Sequence, residues 1–394
     1  MQAMKVKTEL DSLEFSLVLG GPLYQWMRKA GLAGDALQLL RRRVFLLSAF
    51  TWLPLLLLSS MVESTAKVTF LQDVEIHVRF LVALPLLIVA ELFVHQRMRT
   101  LVPRFLERDL IPENCLARFE AAITSALRLR NSVAAEVFLI GFVYLIGSAV
   151  WRSTLALGVA TWYSQPAAQG QQWTWPGIWY AYVSLPVFQF LLIRWYFRMG
   201  IWTVFLFKVS RIPLKLIPIH PDGVGGLGFL SATVQAFVPL LLAHGALFAG
   251  SAANRIFYLS AKLPEFRTEV FLVLAFLLCV VLGPLLFFAP QLHRVKLTGL
   301  AEYGTLAHRY VKEFDHKWLR GGAPGDEPLV GSADIQSLAD LGNSFQLVKS
   351  MRLLPFSRDS VFQLVGATLA PFVPLGLTMM PLEDLLKRLL SILL

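Results

Sequence analysis

Between Val44 and Pro290 the sequence returns six times to an apolar run of about the length that crosses a bilayer core. The runs are Val44–Met61, Phe80–Val94, Ser132–Val150, Ile178–Phe207, Phe229–Ala249 and Val270–Pro290. A helix needs about 20 apolar residues to span hydrocarbon at its usual rise. The second run is short, and Val78 and Arg79 are expected to extend it. The whole chain agrees: 56% of its 394 residues are hydrophobic and 16% charged, where soluble chains carry about a quarter charged. Lipid is therefore the expected main partner, and the expected fold is all-α: a polytopic integral membrane protein with six to seven transmembrane helices.

The formal net charge of +10 belongs to loops. With the N-terminus inside, most of the 36 Lys and Arg residues fall before the first run, at 95–131, just after the fourth run, and beyond Pro290. That asymmetry predicts a cytoplasmic N-terminus in a bacterial-type inner membrane, and it accounts for the basic character without nucleic acid. No secretory signal opens the chain, because its first long apolar run begins only at Val44, so the beginning is expected to be kept. Residues 1–43 mix apolar and basic side chains and read as a segment on the membrane surface. Cys115 and Cys279 fall at different depths, which predicts no disulfide.

The order of segments divides the chain into 1–43, a helical core at 44–290, a cytoplasmic part at 291–357 and a terminal part at 358–394. Within the core, 95–131 reads as two helices separated by Pro-Glu-Asn at 112–114, and Trp162, Tyr163, Trp173 and Trp175 as headgroup-level aromatics of an outer loop. In 291–357, Leu300, Tyr303, Leu306 and Tyr310, then Ile335, Leu338, Leu341 and Phe345, recur every three or four residues. The two series predict a pair of amphipathic helices, the second capped by Ser332 or Asp334. The run Val361–Met380 is expected to kink at Pro371 and Pro374, and Pro381–Leu394 to form an amphipathic interfacial helix. A re-entrant seventh run would return the C-terminus inside.

Two sets of residues invite a functional reading. The first is a glycine-rich turn at 220–228, where His220, Asp222, Gly223, Gly225, Gly226 and Gly228 stand between two apolar runs with Arg211 and Lys215 upstream. Converging backbone amides at a helix start would hold a phosphate or carboxylate. The turn has no Walker lysine and no preceding strand, which favours a tight connection in which Asp222 caps the next helix. The second set is Glu91, Glu136, Arg194, Arg198 and His244, ionisable residues inside or at the ends of apolar runs, where burial requires pairing or water. Glu136 and Arg198 are the expected pair.

No HExxH, CxxC or GxSxG element occurs, so neither metal, cofactor nor catalytic residue is expected. The leading expectation is translocation of an ion or small solute along a polar path lined by the second set. The alternative is a membrane scaffold or sensor that uses the helical pair for a cytoplasmic protein partner and the glycine turn for an anionic small molecule. Self-association into a homo-oligomer is compatible with either.

Overall fold

The computed structural model describes residues 15–29, 31, 39–61, 68–147, 161–167 and 170–378. They form a helical bundle with one small hairpin. A short helix α1 (Pro22–Lys29) leads to α2 (Leu40–Ser60) and α3 (Val74–Glu107). Helices α4 (Glu113–Arg130) and α5 (Val133–Gly147) follow, then the antiparallel strands β1 (Ser164–Ala167) and β2 (Gly170–Trp173). The chain continues through α6 (Trp175–Ser210), α7 (Gly228–Leu259), α8 (Leu263–Leu319), α9 (Ala333–Ser350) and α10 (Arg358–Leu369).

Five of these, α2, α3, α6, α7 and α8, are long and apolar enough to cross a membrane. The third apolar run begins where its sequence places it, and the described part of it, up to Gly147, is shorter than a full crossing. Ser132 interrupts the helix and its Oγ caps a new one by accepting from Ala135 N, so α4 and α5 meet at a 47° bend and count as a sixth crossing only if taken together. The seventh run is divided. After α10, Ala370–Phe372 forms a single 3₁₀ turn and Val373–Gly376 one further helical turn, with Pro371 and Pro374 each at the start of a new piece. Among the described residues the run is not one of the candidate crossings, and its last two residues, with Pro381–Leu394, lie outside the described residues.

The boundary at 290 is a change of surface within one helix. A 3₁₀ stretch, Gly283–Phe288, accommodates Pro284, and Pro290 sits in the first turn of the next piece, where its missing N–H costs little. The sixth run therefore continues without a break into the first amphipathic helix, making α8 57 residues long. Helix α9 packs back along it. Ser332 supplies the α9 cap by accepting from Asp334 N, while the Asp334 carboxylate binds Lys317 Nζ at 2.8 Å and Trp318 Nε1 at 3.0 Å on α8.

Burial identifies the centre. Within its most apolar window 72% of α7 is buried, against 22% of α2 and 28% of α8. Helix α7 packs on α3 and α10. A Cβ at Gly245 would lie 2.1 Å from the Thr368 carbonyl oxygen, so this glycine is what lets the α10 backbone touch α7. The outer helices turn large apolar side chains outward: Phe45, Phe50 and Leu57 on α2, Phe138 and Leu145 on α5, and Phe271, Leu272 and Phe276 on α8 are all exposed. Apolar surface on that scale is unfavourable in water and suits a lipid environment.

Two segments sit deeper than their sequence suggests. Phe15, Leu17 and Val18 are almost wholly buried, with Phe15 against Trp202 and Phe205 of α6. Residues 15–21 thus enter the bundle at the end where α2 begins, which differs from the surface placement expected for 1–43. At the opposite end, Trp162 is 3% exposed and packs among Phe70, Tyr163 and Tyr180, whereas Trp175 remains exposed. Asp73 explains why Trp162 turns inward. Its carboxylate accepts from Trp162 Nε1 at 2.9 Å, Asn254 Nδ2 at 2.8 Å and Ile76 N at 3.2 Å, joining the hairpin region to α3 and α7.

Candidate functional site

Four of the five intramembrane candidates converge in one layer near the end where α2 begins. Arg194 and Arg198 are four residues apart on α6 and therefore share a face. Arg198 Nη1 donates to Glu91 Oε1 at 2.8 Å, and Arg43 Nη2 donates to the other oxygen, Glu91 Oε2. Arg194 Nη2 donates to Glu136 Oε1 at 3.1 Å. The expected partner of Glu136 was Arg198; Arg194 takes that place because Glu91 of α3 holds Arg198. All five side chains belong to residues no more than 8% exposed.

The N-terminal segment covers this layer. Leu23 N donates to Glu136 Oε2 at 2.7 Å, and Gly21 N to Asn131 Oδ1 at 3.0 Å. Arg130 Nη1 reaches the Ser16 carbonyl at 2.6 Å, and Ser16 Oγ lies 3.0 Å from His95 Nδ1. The backbone passes so close that a Cβ on Gly20 would meet the Arg130 guanidinium at 2.5 Å.

Among the described residues the charge in the layer does not balance. Arg43, Arg194 and Arg198 face two carboxylates, and half-buried Arg130 stands beside them. Two buried donors, Arg43 Nε and Trp202 Nε1, have no acceptor among the described residues. Trp202 follows Arg194 and Arg198 on the same face of α6, at another four-residue step. Buried guanidinium groups and N–H donors in excess of acceptors carry a large desolvation cost, and an anion would relieve it.

His244 stands apart from the layer. Its Nε2 lies 2.7 Å from Tyr196 Oη and its Nδ1 2.7 Å from the Leu240 carbonyl. A carbonyl only accepts, so Nδ1 carries the proton and the hydroxyl donates to Nε2 in the neutral ring. Tyr196 lies two residues from both arginines on α6 and points away from their face. The five residues thus divide into a layer of four and His244, which meets Tyr196 on the other side of α6.

In the glycine turn the converging amides hold an anion that the chain supplies itself. Asp222 Oδ1 accepts from Val224 N at 2.9 Å and Gly226 N at 3.1 Å, and Oδ2 accepts from Gly228 N at 2.8 Å, where α7 begins. Gly225 and Gly226 adopt φ of 65° and 100°, conformations that side chains disfavour. Partial burial acts to raise the Asp222 pKa, but the three amide bonds and His220, whose Nδ1 lies 2.9 Å from Oδ1, outweigh it and hold it below the ordinary carboxylate value. Arg108 Nη1 binds the Gly226 carbonyl at 2.8 Å.

The other residues expected at this turn are engaged elsewhere. Lys215 Nζ pairs with Asp109 at 2.9 Å, and the Arg211 guanidinium lies over the Phe207 ring. The turn is instead a joint. Arg352 N donates to the Gly223 carbonyl at 2.8 Å and Arg352 Nη2 to the Asp222 carbonyl at 3.0 Å, tying the stretch after α9 to the bundle. Gly299 of α8 packs on Pro218 and Val348 at the same place.

Arg43, Arg130, Asn131 and Ser16 are members of the layer that the sequence reading left in loops or termini. The available signal was that three arginines, Arg41 to Arg43, touch the first apolar run; α2 begins at Leu40, which puts Arg43 inside its first turn. Among the described residues no three His, Cys, Asp or Glu side chains come together as a metal site. The chain matches no protein-family model, no curated protein and no solved structure.

Proposed function

We propose that the chain is a multi-pass protein of a bacterial-type inner membrane, with its N-terminus on the cytoplasmic side, that binds and passes a small anion through the arginine layer. The observation that carries this reading is the imbalance of the layer among the described residues, with three buried guanidinium groups against two carboxylates and two buried donors without acceptors. In a low-dielectric bundle, charge of one sign that the protein leaves uncompensated is a site for the opposite charge. Residues 16–23 lie over the layer on the side reached from the cytoplasm in this orientation and would have to move for an ion to enter. The bilayer reading is supported by five helices of spanning length and by the outward apolar faces of α2, α5 and α8.

The test is flux through the purified chain in liposomes with a panel of chloride, nitrate, phosphate and small carboxylates. Anion-selective flux that falls at least about tenfold in Arg194→Ala, and returns in part in Arg194→Lys, is the expected result; tenfold corresponds to about 1.4 kcal/mol. Absence of flux for every anion, with the protein integrated and folded, would sink passage.

One observation favours a second reading, in which the layer is a static lock and the α8–α9 pair recruits a cytoplasmic protein. Leu306, Leu319, Val330 and Ile335 are exposed on that pair or its connecting loop, and the Asp222 turn links it to the bundle. Anion flux that survives with the pair's exposed apolar residues changed to serine would separate passage from recruitment.

A further inference from the structure

At the end of the bundle where α6 stops, a cavity of about 530 Å³ opens between α6 and α8. Its size falls in the range of small-molecule sites. One wall is apolar, made by Phe207 of α6 and by Leu286 and Phe287 of α8; Phe207 and Leu286 are themselves partly exposed and belong to the outward apolar surface. The other wall carries Arg211 and Arg294, both exposed and neither paired with a carboxylate among the described residues. Arg211 stacks on Phe207, with its guanidinium carbon 4.7 Å from the ring centre, which holds the charge at the edge of the apolar wall.

The helix segments that carry the two arginines are fastened together. Gln291 of α8 donates from Nε2 to the Ser210 and Ile212 carbonyls at 2.5 and 2.7 Å and accepts from Leu214 N at 3.3 Å. One side chain thereby fastens the end of α6 to α8 just where Arg211 and Arg294 flank the cavity. The Arg211 carbonyl also receives Arg118 Nη2 from α4 at 3.1 Å, adding a third helix to the clamp.

We propose that this cavity binds an anionic phospholipid, with the headgroup phosphate between Arg211 and Arg294 and the first part of an acyl chain along Phe207, Leu286 and Phe287. Guanidinium groups match phosphate oxygens in geometry as well as charge. An unneutralised arginine pair beside an apolar wall that continues into the lipid-facing surface suits a ligand that is anionic at one end and hydrocarbon at the other. The site rests on the bilayer part of the reading above and is independent of anion passage. It is distinct from the arginine layer, with which it shares no residue.

The experiment titrates the full detergent-purified chain with phosphatidylglycerol or phosphatidylcholine and counts bound lipid by native mass spectrometry, with glycerol 3-phosphate as a competing free anion. Phosphatidylglycerol should bind roughly tenfold or more tightly than phosphatidylcholine. Arg211→Ala with Arg294→Ala should remove that preference, and Leu286→Gln should weaken phosphatidylglycerol severalfold while leaving its preference intact. Arg309→Ala with Lys312→Ala, which removes as much positive charge farther along α8, should change nothing.

A phosphatidylglycerol preference in the Arg211/Arg294 double variant as large as the parent's overturns the site, as does an equal loss of preference in the Arg309/Lys312 control. Competition by glycerol 3-phosphate at the same concentration as the lipid also overturns it, because the cavity would then recognise a soluble anion. Resistance of each protein to alkaline extraction from membranes is read in parallel. An integrated chain with no arginine-dependent preference removes the lipid site alone, whereas a chain that extracts freely removes the bilayer reading and the site with it.

Discussion

The arginine layer and the Asp222 turn are both knots of charge and hydrogen bonds, yet they are built in opposite ways. In the turn one carboxylate faces three backbone amides, all supplied within six residues of it, and stands partly open to solvent. In the layer five charged side chains arrive from α2, α3, α5 and α6, are nearly inaccessible, and among the described residues do not sum to zero. A locally closed, self-satisfied group has no call on an outside ligand, while a buried surplus of donors does. The backbone amides expected to bind an anion at the turn are therefore already occupied by Asp222, whereas the layer keeps buried donors without acceptors among the described residues.

The sharpest way to break this contrast is Glu91→Gln. The substitution removes the carboxylate that Arg43 and Arg198 share, leaving both buried without an ionic partner. Loss of one member of a buried pair costs about 3–5 kcal/mol, and thermal unfolding in detergent should show a correspondingly large destabilisation. A loss below about 1 kcal/mol would mean that water already reaches the layer, as at an exposed pair.

Asp222→Ala should cost less, about 2–3 kcal/mol, since amides left without an acceptor near the surface recover part of their bonding from water. Its local signature is faster amide exchange at Val224, Gly226 and Gly228, the three donors to the carboxylate. If exchange there is unchanged, the carboxylate does not organise the turn.

The pH response of the turn has a definite sign. Because the folded-state Asp222 pKa lies below its ordinary value, the carboxylate's contribution is fully present above the unfolded value of about 4 and is lost as pH falls through the folded one. Stability measured from pH 7 down to about 5 should therefore be flat with respect to this group, and the Asp222→Ala chain should lack the part of the acid loss due to this group. An equal acid loss in both chains would remove Asp222 as a source of it.

Smallest of all is Arg309→Ala, which breaks the exposed pair with Glu313 on α8 at 3.4 Å. It should stay within about 0.5 kcal/mol of the parent. A larger effect would show that the projecting part of α8 is not simply solvated, and would favour a role for that surface.

The legibility of these regions follows their range in sequence. The turn was readable because its donors and acceptor lie together, and Pro221, Asp222 and the glycines state their backbone requirements directly. The layer was readable only as a set. Arg194 and Arg198 lie about one helical turn apart on one face, so either could meet Glu136; the choice depends on Glu91 engaging Arg198 from α3. Nothing in the sequence alone places Ser16 against His95, or Arg43 inside the bundle, because each contact requires segments dozens of residues apart to be fixed in relative height and rotation.

The sequence by itself determined the helical character, most of the apolar helices, the amphipathic pair and the placement of basic charge, since these depend on side-chain transfer between water and an apolar phase and on backbone bonds closed within a helix. Tertiary structure alone decided that α8 runs unbroken past Pro290, that α4 and α5 bend at Ser132, and that His244 faces Tyr196 away from the arginines. It also decided which carboxylate meets which guanidinium. Those outcomes depend on how helices rotate and slide against one another, a matter of packing between surfaces that no single segment encodes.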